Sequence, residues 1–303
     1  MDIVFFTNRM TKGGSERVIS YLANDLSKDH DVTILTMTSA VSDYFLEDNV
    51  KHSPLENKKA GNNHSVLVNI SRVLMLRKYI KKHPNAIYIS FVTLPSYILL
   101  LFRRLVKGPI IVTVRNDPEQ QHKTVLDKYL VKLLYPKADA MVFQTREQAQ
   151  FYKNITIKKQ AVLPNPVNEQ FIKKPYDGIR DKEIVTVGRL IKQKNQELLI
   201  KTFAKMSSDY PEYVLKIYGE GYLREFLEKL IKELQMEDRI FLQGSVSDLQ
   251  SRIYKASAFV LSSDFEGIPN ALLEAMALGL PVVSTNCSGG VQSSLSKMVS
   301  MAY

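Results

Sequence analysis

The sequence predicts an α/β protein with two mostly parallel sheets, and three observations carry this prediction. Short apolar runs alternate with longer amphipathic segments almost throughout, which is the pattern of repeated βαβ units. The chain has 303 residues, enough for two domains at roughly 150 residues each. A stretch rich in proline, glycine and charge, residues 162–178, separates two such series and has the composition of a linker.

The first series is typical of a doubly wound domain. Short runs rich in β-branched and aromatic residues predict strands at 3–7, 32–37, 87–91, 110–114 and 140–143. Apolar residues at helical spacing predict helices at 16–26, 67–82, 94–105, 125–134 and 146–152.

The second series repeats this arrangement after the linker. We expect strands at 183–187, 213–218, 240–243, 258–261 and 281–285, and helices at 196–206, 222–234, 248–255 and 270–277. The predicted domains are therefore 1–170 and 171–303. Because open α/β sheets bind ligands beyond the carboxyl ends of their strands, we expect the two sheets to face each other across a ligand-binding cleft.

Composition excludes several classes of protein. The single cysteine, Cys287, rules out a disulfide framework and fits a reducing compartment. The histidines lack metal-ligand spacing, so each is expected to be a surface or structural residue, and we expect neither a metal nor a cofactor: His30, His52, His64, His83 and His122. We see no signal peptide and no transmembrane segment, which predicts a cytoplasmic protein.

The net charge of +10 is concentrated in one part of the chain. Residues 51–174 hold 22 basic and 7 acidic side chains, whereas residues 1–50 hold 4 and 8 and residues 175–303 hold 15 and 16. The basic block mixes lysine and arginine with leucine, isoleucine and tyrosine, as in residues 72–82 and 102–107. Such segments suit an anionic membrane surface, although a solvated helix face or, more remotely, a nucleic acid fits them too.

Glycine-bearing turns fall at the ends of several predicted strands. Gly13 and Gly14 follow the first strand, with Ser15 as the expected helix cap, and two glycines allow a backbone to approach an anion closely. Gly188 follows a later strand, and Arg189 and Lys194 there would present two cations suited to a diphosphate. By itself the first turn is weak evidence for function, and an ordinary solvated loop explains the second equally well.

Two further strand ends carry candidate residues. Gly219 lies in a turn of small residues that would admit a flat nucleotide base, although an ordinary turn explains it equally well. Glu266 and Glu274 are eight positions apart, with Glu266 in a glycine-proline turn and Glu274 on the helix that follows. The start of that helix carries partial positive charge and suits a phosphate or sugar oxygen. An acidic loop before an ordinary helix remains the plain alternative.

Taken in this order and spacing, the segments GGSERV, VGRLIKQKNQELLI, IYGEGYLREFLEKL and EGIPNALLEAMALGLPVVST resemble the retaining GT-B glycosyltransferases of the family-four type. The resemblance covers residues 1 to about 285. It implies two Rossmann-like domains and transfer of a sugar from a nucleotide diphosphate donor, usually a UDP-sugar, to an acceptor hydroxyl. The transfer retains the anomeric configuration and uses no metal.

The resemblance also assigns roles to residues. Arg189 and Lys194 would neutralise the leaving diphosphate, Glu266 would bind the sugar near its 3-hydroxyl, and Glu274 would hold the ribose. The remaining donor contacts would come from a set of backbone positions in the glycine turns and the last helix start: Gly13, Gly14, Gly188, Gly219, Gly267, Ile268, Asn270 and Ala271. Arg115 and Asn116 would lie beside the transferred sugar. No carboxylate in the first domain stands out as a nucleophile, which favours same-face attack by the acceptor.

The leading hypothesis is a cytoplasmic transferase, docked on the inner face of the plasma membrane, that extends a saccharide or lipid-linked saccharide in surface-polysaccharide or lipopolysaccharide assembly. A sugar-nucleotide epimerase of the same architecture and an inactive nucleotide-sugar binding remnant remain as alternatives, whereas nucleic-acid binding is not expected. The family pattern continues beyond residue 285 to a closing helix that this sequence lacks, so we expect a truncated second domain.

Overall fold

The computed structural model describes residues 1–11, 13–38, 41–55 and 66–287. The chain divides into two compact units, Met1–Asn165 (unit 1) and Pro166–Tyr303 (unit 2). This division falls five residues before the predicted boundary, and the acceptor and donor roles of the two parts stay predictions. His64 and the expected truncation after residue 287 lie outside the described residues.

Unit 1 contains one parallel sheet. The described strands are β1 (Asp2–Thr7), β2 (Asp31–Thr36), β3 (Lys51–Pro54), β4 (Ile87–Phe91), β5 (Ile110–Thr113), β6 (Ala140–Phe143) and β7 (Gln160–Val162). Their spatial order is β3-β2-β1-β4-β5-β6-β7, with every pair parallel. The chain therefore winds outward in both directions from β1 and β4, and the switch point lies between these two strands.

Helices cover both faces of this sheet. They are α1 (Gly14–Leu26), α2 (Val66–Lys82), α3 (Thr93–Leu101), α4 (Pro118–Gln121), α5 (Val125–Leu134) and α6 (Arg146–Phe151). Side chains of β1 alternate between two apolar clusters: Ile3 and Phe5 pack with α1, whereas Val4 and Phe6 belong to the cluster that α2, α3 and α5 also fill. Because both faces of β1 are buried, its sequence is an almost continuous run of apolar residues.

Unit 2 has the same architecture, with a smaller parallel sheet. Its described strands are β8 (Asp181–Val187), β9 (Val214–Tyr218), β10 (Ile240–Gly244), β11 (Ala256–Leu261) and β12 (Val282–Ser284), in the order β10-β9-β8-β11-β12 and all parallel. Its helices are α7 (Gln196–Met206), α8 (Arg224–Glu233), α9 (Leu249–Ile253) and α10 (Asn270–Ala277). The switch point of this sheet lies between β8 and β11.

The predicted fold class, two parallel-sheet α/β domains, is confirmed. Among the described residues, the short strands β3 and β7 and the single turn α4 were not predicted. The helix predicted at 94–105 ends earlier, at Leu101, and a 3-10 turn follows at Arg103–Leu105. In the described part of the chain, no helix is both long and apolar enough to span a bilayer.

Candidate functional site

Two loops meet at the switch point of unit 2. Residues 188–195 follow β8, and residues 262–266 follow β11, the neighbouring strand. Besides the ion pair of Lys194 with Glu266, hydrogen bonds join the two loops. The Asp264 amide donates to the Gln193 carbonyl at 2.9 Å, and Gln193 Nε2 donates to the Phe265 carbonyl at 2.9 Å. Ser262 Oγ donates to the Lys194 carbonyl at 2.9 Å, and Asn195 Nδ2 donates to Asp264 Oδ1 at 2.7 Å. These bonds hold two segments of distant sequence in one fixed arrangement.

Lys194 and Glu266 form an ion pair at the centre of this arrangement. The Lys194 ammonium donates to Oε1 of Glu266, and Ser263 Oγ donates to the same oxygen at 2.6 Å. Glu266 is 6% exposed, so its charge is held by these two donors rather than by water. Within the described residues, both hydrogen bonds to this carboxylate end on Oε1, which leaves Oε2 for a hydroxyl donor.

Close backbone packing shapes the β8 side of the site. Gly219 has φ +137°, and a Cβ there would lie 2.0 Å from the carbonyl oxygen of Gly188, so only glycine fits. At Gly188 an added Cβ would only touch the aliphatic stem of Lys194, at 3.4 Å. The structure therefore gives Gly219 a packing role, and its expected contact with the donor base stays a prediction.

Arg189 and the start of α7 lie beside this packing. Arg189 is exposed, and its carbonyl accepts from Nε2 of the buried Gln196 at 2.9 Å, which fixes the path of the loop. Asn195 caps α7 from the left-handed conformation, φ 44°, with its side chain accepting from the Leu198 amide. One exposed cation, Arg189, and one ion-paired cation, Lys194, thus lie near a helix start, which favours anion binding.

The turn after Glu266 leads into α10. Gly267 and Ile268 are buried, Asn270 and Ala271 begin the helix, and Glu274 follows on its first turns with 3% exposure. A carboxylate at 3% exposure is expensive to desolvate, which is typical of a functional or tightly bonded group. The structure places Glu274 and Glu266 on the same strand-turn-helix segment, as the sequence predicts.

Cys287, which served in the sequence only as an indicator of redox compartment, lies in the apolar cluster beneath α10. Burial and, to a lesser degree, the negative charge of Glu266 raise the pKa of its thiol. The thiol therefore stays protonated, and Cys287 acts as an apolar packing group beside the site.

In unit 1, α1 begins at Gly14, with Gly13 as the preceding cap residue and without a side-chain cap. The expectation that Ser15 caps this helix is wrong, because Ser15 already lies inside it. The Tyr44 hydroxyl holds the turn instead: it accepts from the Gly13 amide at 2.9 Å and donates to the Gly13 carbonyl at 2.8 Å. Burial raises the pKa of Tyr44, so the phenol remains a donor. Sequence reasoning missed Tyr44, which lies 31 residues away.

Arg115 and Asn116 follow β5, beside the end of β4. The Arg115 guanidinium lies 4.7 Å from the centre of the Phe91 ring and donates to Oδ1 of Asn165 at 3.0 Å. Burial lowers the pKa of Arg115 to about 10, so it stays charged at neutral pH. Oδ1 of Asn165 also accepts from Gln144 at 2.7 Å. The sequence predicts Asn165 only as part of a linker, yet it anchors this arginine.

The Asn116 side chain folds back on its own loop. Its Oδ1 accepts from the Asp117 amide at 2.9 Å, and its carbonyl accepts from Nε2 of Gln148 at 3.2 Å. Asp117 then caps the single turn α4 by accepting from the Glu119 amide. These contacts give Asn116 a loop-shaping role, and its expected place beside the sugar stays a prediction.

Val92 is a strained residue that the sequence did not reveal. It follows β4 at the switch point, with φ 64° and ψ 160°, a conformation that β-branched residues rarely adopt. Ser96 fixes it, since both its amide and its hydroxyl donate to the Val92 carbonyl. Strained backbone of this kind concentrates at ligand sites.

His122 is a structural residue, as expected. It is 1% exposed; Nδ1 lies 3.1 Å from the Tyr97 hydroxyl, and Nε2 lies 2.8 Å from the Tyr152 hydroxyl. Burial lowers its pKa to about 4, so the ring is neutral. Among the described residues, no three histidine, cysteine, aspartate or glutamate side chains are grouped to hold a metal.

A polar hollow also opens at the opposite edge of the unit 1 sheet. Asp2, Asp31 and Lys51, each the first residue of its strand, line it together with His83, whose Nδ1 lies 3.0 Å from Asp2 Oδ2. Because parallel sheets bind ligands at the carboxyl ends of their strands, this hollow is not the candidate site.

Comparison with known proteins agrees with this geometry. The profile of Glycosyltransferase Family 4 matches residues 12–171, and that of Glycosyl transferases group 1 matches residues 168–299. Two parallel-sheet α/β units that match these two profiles, and that superpose on solved glycosyltransferases, place the chain in the GT-B class. The chain belongs to glycosyltransferase family 4.

Two curated relatives come from Campylobacter jejuni. N-acetylgalactosamine-N,N'-diacetylbacillosaminyl-diphospho-undecaprenol 4-alpha-N-acetylgalactosaminyltransferase is 32% identical, over 95% of this chain and 81% of its own. A second, GalNAc-alpha-(1->4)-GalNAc-alpha-(1->3)-diNAcBac-PP-undecaprenol alpha-1,4-N-acetyl-D-galactosaminyltransferase, is 27% identical, over 96% and 81%.

Solved structures share the fold. Anabaena HepE in complex with UDP and glucose superposes with a TM-score of 0.79 at 15% identity, covering 96% of this chain and 82% of that one. A mutant of S. aureus TarM, in complex with fondaparinux, alpha-GlcNAc-glycerol and UDP, gives a TM-score of 0.77 at 14% identity, covering 96% of this chain and 87% of that one. At these identities the likeness supports the fold alone.

Proposed function

We propose that this protein is a retaining hexosyltransferase that moves a hexose or N-acetylhexosamine from a UDP-sugar to a saccharide or lipid-linked saccharide acceptor in surface-polysaccharide biosynthesis. The observation that carries the proposal is the pairing of Lys194 with Glu266 at the switch point of unit 2. It joins a cation for the diphosphate to a carboxylate for the sugar. Both Campylobacter relatives are named for sugar transfer to undecaprenol-linked saccharides, which supports the acceptor class.

In this proposal, unit 2 holds the donor. Arg189 and Lys194 balance the negative charge that develops on the diphosphate as it leaves, and they do so without a metal. Oε2 of Glu266 accepts from a sugar hydroxyl, while Lys194 and Ser263 keep Oε1 in place. Glu274 binds the ribose hydroxyls. The amides of Gly267, Ile268, Asn270 and Ala271 approach sugar and phosphate.

The transfer itself proceeds on one face of the sugar. The acceptor oxygen forms a bond to the anomeric carbon as the bond from that carbon to the phosphate oxygen breaks. The acceptor proton passes to the departing phosphate oxygen, so the diphosphate serves as both leaving group and base. Arg115 and Asn116 of unit 1, with Gly13 and Gly14, would contact sugar and phosphate from the acceptor side.

The proposed location is cytoplasmic, where nucleotide sugars are made, at the inner face of the plasma membrane. The excess of basic side chains in residues 51–174 supports contact with an anionic surface.

Incubation of the purified chain with individual UDP-sugars and an undecaprenyl diphosphate-linked saccharide tests the function. We expect one donor to be consumed only when acceptor is present, and an α-linked product from an α-linked donor by NMR. An inverted product, or a trapped glycosyl-enzyme adduct, contradicts the retaining same-face mechanism.

Two other outcomes contradict sugar transfer itself. Conversion of one UDP-sugar to another without acceptor would identify an epimerase. Binding of UDP-sugars by calorimetry, with no turnover on any acceptor, would identify a binding remnant.

A further inference from the structure

Helix α5 carries an apolar stripe on the side that faces away from the core. Val131 and Leu134 are buried beneath the helix, whereas Val125, Leu126, Tyr129 and Leu133 are 87%, 65%, 61% and 48% exposed. Positions i, i+1, i+4 and i+8 fall within about 100° of one another around a helix. These four residues, the α5 stripe, therefore form one continuous surface, and exposed apolar stripes of this kind mark interaction sites.

The neighbouring helices extend this surface. Helices α2, α3 and α5 fill the same apolar cluster, so they lie in one layer on one face of the unit 1 sheet. In that layer, α3 exposes Leu94 and Leu101, and α2 exposes Leu67, Ile70 and Leu74 at helical spacing. The basic side chains Lys78 and Lys81 continue the α2 row toward its end.

The charged side chains of this layer are mostly basic. Across the three helices, the exposed basic residues are Arg77, Lys78, Lys81, Lys82, Lys128 and Lys132, whereas the acidic residue is Asp127. Arg72 of α2 is buried and adds nothing to this surface. Asp127 is engaged in the capping box with Thr124. Lys128 and Lys132 lie along one flank of the α5 stripe, where their ammonium groups can reach phosphates while the stripe enters an apolar phase.

We propose that the α5 stripe, flanked by Lys128 and Lys132, docks unit 1 onto an anionic lipid bilayer. Lysine is depleted in the cores of protein-protein interfaces, which disfavours a second copy of the chain as occupant. A nucleic acid would leave Val125 and Leu126 against phosphates rather than in an apolar environment. A bilayer accepts both the apolar stripe and its lysine flank.

The position of α5 in the fold suggests what docking is for, and this part of the inference rests on the proposed function. The chain leaves the carboxyl end of β5 through Arg115 and Asn116, and α5 then runs back toward the start of β6. Val125 and Leu126 therefore lie at the edge of the sheet that carries the proposed acceptor residues. Docking there would hold the acceptor side of unit 1 at the surface in which a lipid-linked saccharide is anchored.

Co-sedimentation of the full chain with vesicles tests the docking surface. Wild-type protein should partition onto vesicles that contain phosphatidylglycerol and much less onto pure phosphatidylcholine. The double variant Val125→Ser/Tyr129→Ser should lower partitioning onto the anionic vesicles by about tenfold. Lys128→Ala/Lys132→Ala should lower it by about tenfold on anionic vesicles and leave neutral vesicles unaffected.

A matched control removes two exposed apolar residues from unit 2. Ile179 and Leu198 are 92% and 45% exposed, and Ile179→Ser/Leu198→Ser should partition like wild type. Equal loss in this control, or absence of wild-type partitioning, overturns the proposal. Tighter binding of RNA or DNA than of vesicles, or a dimer that only the α5 variant dissociates, also overturns it by identifying another occupant.

The readout separates docking from catalysis. With a short-chain, water-soluble acceptor, the Val125→Ser/Tyr129→Ser variant should transfer sugar like wild type, and only transfer to an acceptor embedded in vesicles should fall. A protein that partitions onto vesicles but transfers no sugar to either acceptor leaves the docking surface standing and refutes the proposed function.

Discussion

The switch points of the two units share one topology but hold different chemistry. In unit 2, the loops after β8 and β11 are tied together by hydrogen bonds and by the ion pair of Lys194 with Glu266. In unit 1, the residues after β1, β4 and β5 are a glycine turn held by Tyr44, the strained Val92, and Arg115 bonded to the neutral Asn165.

If unit 2 binds the donor and unit 1 the acceptor, as proposed, this difference follows from the chemistry of the two substrates. A nucleotide diphosphate has the same charge whichever sugar it carries, so a fixed cation and carboxylate in unit 2 suit it. Acceptor saccharides differ in shape, so the proposed acceptor residues of unit 1 gain more from a shaped backbone than from further ion pairs. Under this proposal, the same fold supports one rigid charged site for the donor and one acceptor site whose specificity depends on loop shape.

The largest expected effect comes from breaking the charged site. Lys194→Ala removes a cation from the departing diphosphate, and kcat/KM for sugar transfer should fall by about 10² to 10³, the usual cost of removing one electrostatic contact in a transition state. It also leaves Glu266 at 6% exposure with Ser263 as its remaining donor, so the free energy of unfolding should fall as well. Steady-state kinetics and urea unfolding measure the two effects separately.

Lys192→Ala is the matched control, because Lys192 is an exposed cation of the same loop. It should keep nearly normal turnover and stability. If Lys194→Ala turns over like Lys192→Ala, the assignment of the donor site in unit 2 is wrong.

How far the sequence predicts the fold depends on what defines each element. Helices α5, α7 and α10 lie at the predicted residues, because apolar periodicity and local caps such as Thr124 define them. β3 has the sequence KHSP and β7 has QAV, and both are edge strands. Neither has an apolar pattern, because an edge strand is defined by hydrogen bonds to its neighbour rather than by its own burial.

In the candidate site, too, the sequence predicts what local signals define and misses what long-range contacts define. Glycine turns and charged residues at strand ends are local signals, and these led to Lys194 and Glu266. Their pairing across 72 residues is set by the parallel register of β8 and β11, which single-sequence spacing does not contain. Tyr44 and Asn165 were missed for this reason too: each acts through a distant partner.

A second prediction concerns pH and the core of unit 1. The folded-state pKa of His122, about 4, lies below the ordinary value of 6.5, because the ring is buried among Tyr97, Tyr135 and Tyr152, while Asp127 offsets the shift only in part. As pH falls from 6.5 to 4, His122 binds a proton in the unfolded chain but stays neutral in the folded chain. The free energy of unfolding should therefore fall by about 3 kcal/mol over this range.

Urea unfolding at a series of pH values measures this loss. His122→Gln keeps a polar group among the tyrosines but does not titrate, so its stability should depend less on pH between 6.5 and 4. His30→Gln changes a histidine near the surface and should retain the wild-type pH dependence. Identical pH profiles for His122→Gln and wild type would show that His122 does not carry this dependence.

The smallest expected effect is a change in unfolding free energy, which tests whether the switch point of unit 1, unlike that of unit 2, contains a strained residue. Val92 is only partly buried, and glycine adopts φ 64° and ψ 160° readily, so Val92→Gly should release strain of about 1 to 3 kcal/mol. Glycine also raises the entropy of the unfolded chain at a cost of about 0.5 to 1 kcal/mol, so the net gain in unfolding free energy should be about 1 kcal/mol.

A matched control is Val142→Gly. Val142 lies in the regular strand β6 and is also half-buried, so this variant should instead be less stable than wild type. If urea unfolding finds the two glycine variants equally destabilised, Val92 stores no strain. If Val92→Gly is more stable but transfers sugar more slowly, the strain serves the shape of the acceptor side.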